Sequence, residues 1–319
     1  MRAIVLPRFG GPEVLELRDL PDPSPGPGEL LVRIHASGTN PVDAKIRAAG
    51  TWAQLALPAV IGYDASGVVE AVGPGVTAFS PGDEVFYTPE IFGNPHGTYA
   101  ERSVVPAAIA ARKPARLSHV EAASIPLAGG TAYEALVRRL RVRVGETVLV
   151  HGGAGGVGSF AVQIAKAMGA RVIATAGAAN QETLRRLGAD VCLDHGKDDV
   201  TRATLAETGG AGADAVFSTV GGRTVIDAQL AARPFGRIAT ILGAQGELTP
   251  LYLRNQELHG VFLTREGARL RELSLLVEQG KLSPLVDAVL PLERVAEAHR
   301  RLDSGHGRGK VVLEVVRGA

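Results

Sequence analysis

The stretch Val148-Leu-Val-His-Gly-Gly-Ala-Gly-Gly-Val-Gly158 narrows what this chain can fold into more than any other. An apolar run meets five glycines within seven residues. Such a junction reads as a strand turning straight into a helix, with bare backbone where something must come close. Inside it, Gly153-x-Gly155-x-x-Gly158 fits the pattern G-x-G-x-x-G. By itself the pattern is weak, because a chain with 40 Gly produces such spacings by chance. Its surroundings strengthen it. Thr147–Val150 reads as a strand and Gly156–Met168 as a helix. Strands Arg171–Thr175, Asp190–Leu193, Asp214–Thr219 and Arg237–Leu242 follow, with helices at 181–187, 198–207 and 223–231 between them. Leu258–Phe262 adds a sixth strand. This alternation calls for a doubly wound parallel sheet covered on both faces.

The first 120 or so residues read differently. Short apolar runs such as Leu30–Ile34 and Gly67–Val72 alternate with Gly and Pro. Pro21-Asp-Pro-Ser-Pro-Gly-Pro-Gly28 has four prolines in eight residues, which makes it an extended loop between strands. Helices at 266–279 and 292–302 and a closing strand at 310–316 end the chain. At 319 residues the chain is long enough for two domains. Lys and Arg number 34 against 33 Asp and Glu, and aromatics make up 4%, so nothing points to nucleic acid. No run of apolar residues is long enough to span a membrane, and the N-terminus lacks a signal-peptide pattern. A cytoplasmic protein is the expectation. The single cysteine, Cys192, excludes an intrachain disulfide framework and disfavours a thiolate metal site; it reads as a buried strand residue.

The glycine loop predicts a dinucleotide site. A loop without side chains lets a pyrophosphate reach backbone N–H groups, and the helix N-terminus adds partial positive charge. Gly153, Ala154, Gly155, Gly156, Val157 and Gly158 are the expected contacts. The second strand ends Ala174-Thr175-Ala-Gly177-Ala178, with no acid for a ribose 2′-hydroxyl. A carboxylate would repel a 2′-phosphate, so its absence favours NADPH, with NADH as the alternative. Thr175 and Gly177 line this end, and Arg185 and His195 are candidates for the phosphate. Thr219 and Val220 after the fourth strand, and Leu242 and Gly243 after the fifth, lie at the same carboxyl edge.

Several further stretches together resemble the zinc-free branch of the medium-chain dehydrogenase/reductase family, close to quinone oxidoreductases of the ζ-crystallin type. They are Phe9–Leu15, Gly38-Thr-Asn-Pro-Val-Asp43, Gly62-Tyr-Asp-Ala-Ser-Gly67, Pro81–Val85, Gly97–Glu101, Ala122–Pro126 and Gly309–Leu313. The resemblance implies a GroES-like β-rich catalytic domain at 1–122 and 263–319 and a Rossmann NADP-binding domain at 123–262. It also implies a homodimer, and a cleft between the two domains for nicotinamide and acceptor. Zinc-dependent relatives carry a Cys near Gly38 and a His-Glu pair after Gly62. Here Thr39-Asn40 and Tyr63-Asp64 stand there, so no metal is expected.

Without a Lewis acid, the acceptor needs its own activation. A quinone or an α,β-unsaturated carbonyl has it. The resemblance places Asn40 and Thr131 beside the nicotinamide, and Tyr63, which replaces the zinc-side His of relatives, along the cleft. Trp52 stands where thioester-reducing relatives carry a Tyr, and its ring suits a flat acceptor. Asp43 and Lys45 read as a structural pair. An enoyl-thioester reductase is the same-class alternative, and a non-catalytic NADPH-binding protein is the alternative from another class.

Overall fold

The computed structural model describes residues 1–316. Strands β1 (Arg2–Leu6), β2 (Glu16–Asp19) and β3 (Glu29–Gly38) lead into helix α1 (Pro41–Ala49). Strands β4 (Ala59–Val60), β5 (Ala65–Val72), β6 (Glu84–Tyr87), β7 (Arg102–Pro106) and β8 (Ala110–Arg112) precede helices α2 (His119–Ala123) and α3 (Pro126–Tyr133). The alternating part comprises β9 (Thr147–His151), α4 (Gly156–Ala167), β10 (Arg171–Ala176), α5 (Gln181–Arg186), β11 (Val191–Asp194), α6 (Val200–Glu207) and β12 (Ala213–Ser218). It continues with α7 (Arg223–Ala231), β13 (Ala232–Thr240), α8 (Thr249–Leu253) and β14 (Glu257–Gly260). Helix α9 (Gly267–Glu278), β15 (Val286–Pro291), α10 (Val295–Asp303) and β16 (Lys310–Glu314) end the described chain.

Two compact units result. One comprises Met1–Ala128, Thr264–Gly280 and the described residues from Pro284 onward; the other comprises Gly129–Leu263 and Lys281–Ser283. The sequence places the first boundary at 122/123, whereas the first unit continues through Ala128. Leu127 explains the difference, because its N–H donates 2.7 Å to Asp64 Oδ1 and ties this segment to the first unit.

In the second unit the sheet order is β11-β10-β9-β12-β13-β14, and all five pairings are parallel. The order steps outward on one side of β9 and then on the other, so a crevice opens at the carboxyl ends of β9 and β12. Leu149, Ile173, Val216 and Ile238 lie on one face of the sheet and pack with Ala228 and Ala231 of α7. Their burial on both faces is why these strands read as continuous apolar runs rather than alternating ones.

In the first unit, the larger sheet runs β15-β16-β3-β5-β6-β8, with β7 also on β3. Strand β3 alternates, so Leu30, Val32 and Ile34 face a core with Val69, Val85, Tyr87 and Val105. The C-terminal strand β16 pairs antiparallel with β3, Leu313 opposite Ser37. A second core joins Ile4, Leu6, Ile46, Tyr63 and Tyr99 to Leu290, Val295 and Leu313. The ends of the sequence therefore share one core. Strand β15 and helix α1 were not legible as such. Pro at a helix's first position is preorganised for it, and Pro41 opens α1.

Candidate active site

The glycines after β9 serve different ends. A Cβ on Gly158 would run into the Gly152 carbonyl oxygen. One on Gly153 would lie 2.9 Å from Leu184 Cδ2 and 3.0 Å from Ala174 Cβ. These two glycines let the loop and α4 sit tightly on the sheet. Gly155 is unlike them. Its Cβ would meet nothing closer than the Gly152 oxygen at 3.4 Å, ordinary van der Waals contact. The protein's own packing leaves room there for a Cβ, and the sequence leaves it bare. Gly155 caps α4, a helix of 12 residues whose first N–H groups have no intrahelical acceptor. Room for a Cβ that the sequence leaves unused, helix-end donors without an intrahelical acceptor and positive helix-end potential together suit a pyrophosphate.

The neighbouring loops complete the edge. Gly152 N–H donates 3.1 Å to Thr175 Oγ1, and Gly153 N–H donates 2.8 Å to the Thr175 carbonyl. Thr219 Oγ1 donates 2.8 Å to the His151 carbonyl across the crevice. Gly222 N–H donates 2.7 Å to the Gly243 carbonyl. Val220, 53% exposed, and Leu242 project from these loops. His195 Nε2 would lie 3.7 Å from a Cβ on Gly177, so its ring stands at the end of β10. The carboxyl edge thus gathers Gly153 to Gly158, Thr175, Gly177, His195, Thr219, Val220, Leu242 and Gly243.

Arg185 does not join them. It lies a turn down α5, pairs with Glu182 at 3.1 Å with 62% of its side chain exposed, and its charge acts on Cys192. Cys192 is opposite Ala174, before the end of β10. The helix runs back from the edge, which carries Arg185 away from it. Cys192 itself is half-buried on the edge strand rather than fully buried. The sequence reading did not single out His151. It is 5% exposed beside the glycine loop, its Nε2 has no hydrogen-bond partner among the described residues, and burial, then the charge of His195, pushes its pKa down to about 4. A neutral, unpaired imidazole nitrogen beside the cradle is a further polar group for a ligand.

The acceptor-side candidates of the first unit have a different character. Asn40 is buried, and its amide is already engaged: Nδ2 donates 2.9 Å to Asp64 Oδ2, and Oδ1 accepts from Lys310 Nζ. Lys310 also donates 2.7 Å to the Thr39 carbonyl and lies 3.2 Å from Asp64 Oδ2. Lys310 and Asp64 are 4% and 0% exposed. Each charge answers the other, and every strong donor and acceptor is used, which is the condition for keeping such a pair inside. Tyr63 is fully buried, and its hydroxyl has no partner among the described residues. Trp52, 44% exposed, meets Phe92 edge-on with ring centroids 6.1 Å apart. Thr131, in the second unit, is buried within α3.

The Asp43–Lys45 pairing is not formed. Positions two apart on a helix face different ways, and Lys45 is exposed. Asp43 instead accepts from Asn40 N–H at 2.8 Å and from Tyr99 Oη at 2.6 Å. Among the described residues no group of three or more His, Cys, Asp or Glu is placed to hold a metal ion.

Comparison with known proteins settles the family. Residues 26–115 match the alcohol dehydrogenase GroES-like domain, and residues 187–313 match a domain described as zinc-binding dehydrogenase. Human quinone oxidoreductase is 35% identical over 326 aligned positions, covering 98% of this chain and 97% of the relative. The chain belongs to the quinone oxidoreductases of the medium-chain dehydrogenase/reductase family. It is also 35% identical to a chloroplastic NADPH-dependent alkenal/one oxidoreductase of Arabidopsis thaliana, over 98% of this chain and 79% of that one. Among solved structures, an NAD-dependent alcohol dehydrogenase superposes with a TM-score of 0.93 at 40% identity, covering 99% of this chain and all of that one. A mycobacterial protein complexed with NADPH gives 0.87 at 36%, with coverage of 99% and 100%. The GroES-like and parallel-sheet architecture expected from sequence is thereby shown, and with it an oxidoreductase acting on small molecules. No helix among the described residues is long and apolar enough to cross a membrane.

Proposed function

We propose that this enzyme is an NADPH-dependent, metal-independent reductase of quinones or activated α,β-unsaturated carbonyls. The observation that carries the proposal is that the packing at the head of α4 would admit a Cβ at Gly155, yet the sequence leaves it bare. The amides of Gly156 to Gly158 would hold the pyrophosphate, with Gly155, whose own N–H donates 3.1 Å to the Gly152 carbonyl, leaving the approach bare. Thr175, Gly177 and His195 would take the adenosine ribose and its 2′-phosphate. Thr219, Val220, Leu242 and Gly243 would line the remainder, and Thr131 the nicotinamide. When bound, the reduced nicotinamide supplies the hydride. Of the residues in the first unit, Trp52 offers an exposed ring to stack a flat acceptor, Asn40 holds the Asp64–Lys310 pair in register, and Tyr63, buried in this structure, would meet the acceptor only once uncovered.

Support for an activated acceptor comes from the human and Arabidopsis relatives. The NAD-dependent structural neighbour makes NADH the competing cofactor. A homodimer belongs to the same proposal. Strand β14 is a sheet edge, and Tyr252, Leu253 and Phe235 stand exposed in the same unit. Steady-state oxidation of NADPH and NADH with phenanthrenequinone, cyclohexenone and crotonyl-CoA tests the reading. Turnover of the quinone or the enone with NADPH is expected. Turnover of crotonyl-CoA alone supports the thioester reductase, and tight NADPH binding with no acceptor consumed supports a non-catalytic binder.

A further inference from the structure

Two aromatic rings of the first unit stay half out of the protein, and they stand together. Trp52 is 44% exposed and Phe92 46%. Their centroids lie 6.1 Å apart and their planes meet at 76°. They come from different segments. Trp52 lies in the turn Gly50–Ala53 that follows α1, and Phe92 in the loop between β6 and β7. Their neighbours in sequence point the other way: Ala53 and Leu55 on one segment and Ile91 on the other are buried in one shared core. The rings are left outside although a core lies directly beneath both segments.

The backbone fixes where the rings stand. Gly93 N–H donates 2.9 Å to the Ala53 carbonyl, which joins the two segments one residue beyond each ring. Gly93 has φ +66°, a conformation that costs glycine nothing. Asn94 Nδ2 donates 3.1 Å to the Glu90 carbonyl and closes the loop around Phe92. Arg265 Nε donates 3.1 Å to the Pro89 carbonyl before it. After it, Val60 N–H donates 2.9 Å to the Pro95 carbonyl, and Gly97 N–H donates 2.8 Å to the Val60 carbonyl. The Phe92 loop is therefore pinned on both sides of the ring, and a ligand that meets the pair has little left to order.

Two planes that meet near a right angle make a corner. A flat ligand laid on one ring turns its edge toward the other, so it stacks and makes an edge-to-face contact at once. The indole face is electron-rich, and a quinone ring, drained by its two carbonyls, is the complementary surface. An open-chain carbonyl covers less of either wall. The corner also lacks an anchor for a phosphate-bearing thioester carrier. Residues 50–57 and 88–97 contain no Lys or Arg, and their ionisable side chains are Glu90 and His96. Glu90 is 56% exposed, whereas Arg265, 3.9 Å from it, has 2% of its side chain exposed. An anionic carrier would meet a like charge there. We propose that Trp52 and Phe92 together seat the acceptor, and that Phe92 is the residue that selects fused-ring quinones over single-ring or open-chain carbonyls and thioesters. This rests on the reductase reading above and chooses among the acceptors which that reading leaves side by side.

The test is Phe92→Ala, read in two ways. In steady state, KM for phenanthrenequinone should rise about three- to tenfold, with kcat within about twofold. KM for cyclohexenone, a single ring, should stay within about twofold, and Phe92→Tyr should restore the wild-type values. The second readout needs no turnover. Trp52 is the only tryptophan of the chain, so its fluorescence reports this corner alone. Phenanthrenequinone should quench it saturably, and Phe92→Ala should weaken the dissociation constant by about the same three- to tenfold. Equal changes in KM for the quinone and for cyclohexenone overturn the proposal. So does quenching that rises linearly without saturating, or a kcat/KM for crotonyl-CoA above that for the quinone. If no acceptor turns over, the reductase reading fails, and the titration still decides whether the corner holds a flat ring. Should Phe92→Ala not fold, Phe92→Leu, which keeps an apolar side chain and loses the ring, decides by the same split between the two acceptors.

Discussion

The two candidate sites are built by opposite means. The carboxyl edge of the second unit is a backbone site: glycine amides, a helix end and short loops that keep side chains away. The interior of the first unit is a side-chain site, in which Asn40, Asp43, Asp64, Tyr99, His299 and Lys310 are drawn from five segments and hydrogen-bonded to one another. The first needs only local geometry to be ready for an anion. The second holds together only if every partner is present, because a charge or donor stripped of its partner in a dry interior costs several kcal/mol.

That difference orders the ways to break it. The largest effect is expected from Lys310→Met, which leaves Asp64 buried without its cation and should cost about 3–5 kcal/mol. A denaturant melt that moves by less than about 1 kcal/mol would show the pair to be dispensable. Next is Gly158→Ala. The methyl collides with the Gly152 oxygen, and a stability loss of about 2–3 kcal/mol is expected, seen as a drop in melting temperature without ligand.

Acid should follow. His119 is pushed down to about 4 by burial and by His35, with Glu84 pulling the other way and Lys113 adding to the push. His151 is pushed to about 4 and His299 to about 3. An unfolded histidine takes up a proton near pH 6.5, and these do not until far lower, so stability is lost as pH falls from about 6.5 toward about 4. Asp43, pushed up to about 7 chiefly by burial, works in the opposite direction over part of that range, but it is one group against three. A melting temperature that held steady from about pH 7 to about pH 4.5 would contradict this. The smallest effect is expected from Arg185→Ala. Its exposed pair with Glu182 is worth less than about 1 kcal/mol, and KM for NADPH should change by less than about twofold. His195→Ala should raise that KM severalfold, and equal effects would restore Arg185 to the site.

What was legible in the sequence follows the same division. The glycine loop, the strands around it and the residues at their carboxyl ends are local patterns, and the fold gathers all of them but Arg185. A helix that runs back from the edge removes Arg185, and the periodicity of 181–187 does not say which turn meets a ligand. The buried network is hardly legible. Asp64 and Lys310 are visible as charges within apolar runs, yet they lie 246 positions apart. The guess that Asp43 meets Lys45 took the nearest opposite charge in sequence, whereas the fold supplies Tyr99 from another strand.

The central claim is that bare amides at the head of α4 hold the dinucleotide, and Gly155→Asp tests it most directly. The fold has room for the new Cβ, so melting without cofactor should match the wild type within a degree or two. A carboxylate against the pyrophosphate should weaken NADPH binding by about a hundredfold or more in a fluorescence titration. An unchanged NADPH affinity in a folded variant would place the cofactor elsewhere and contradict the account.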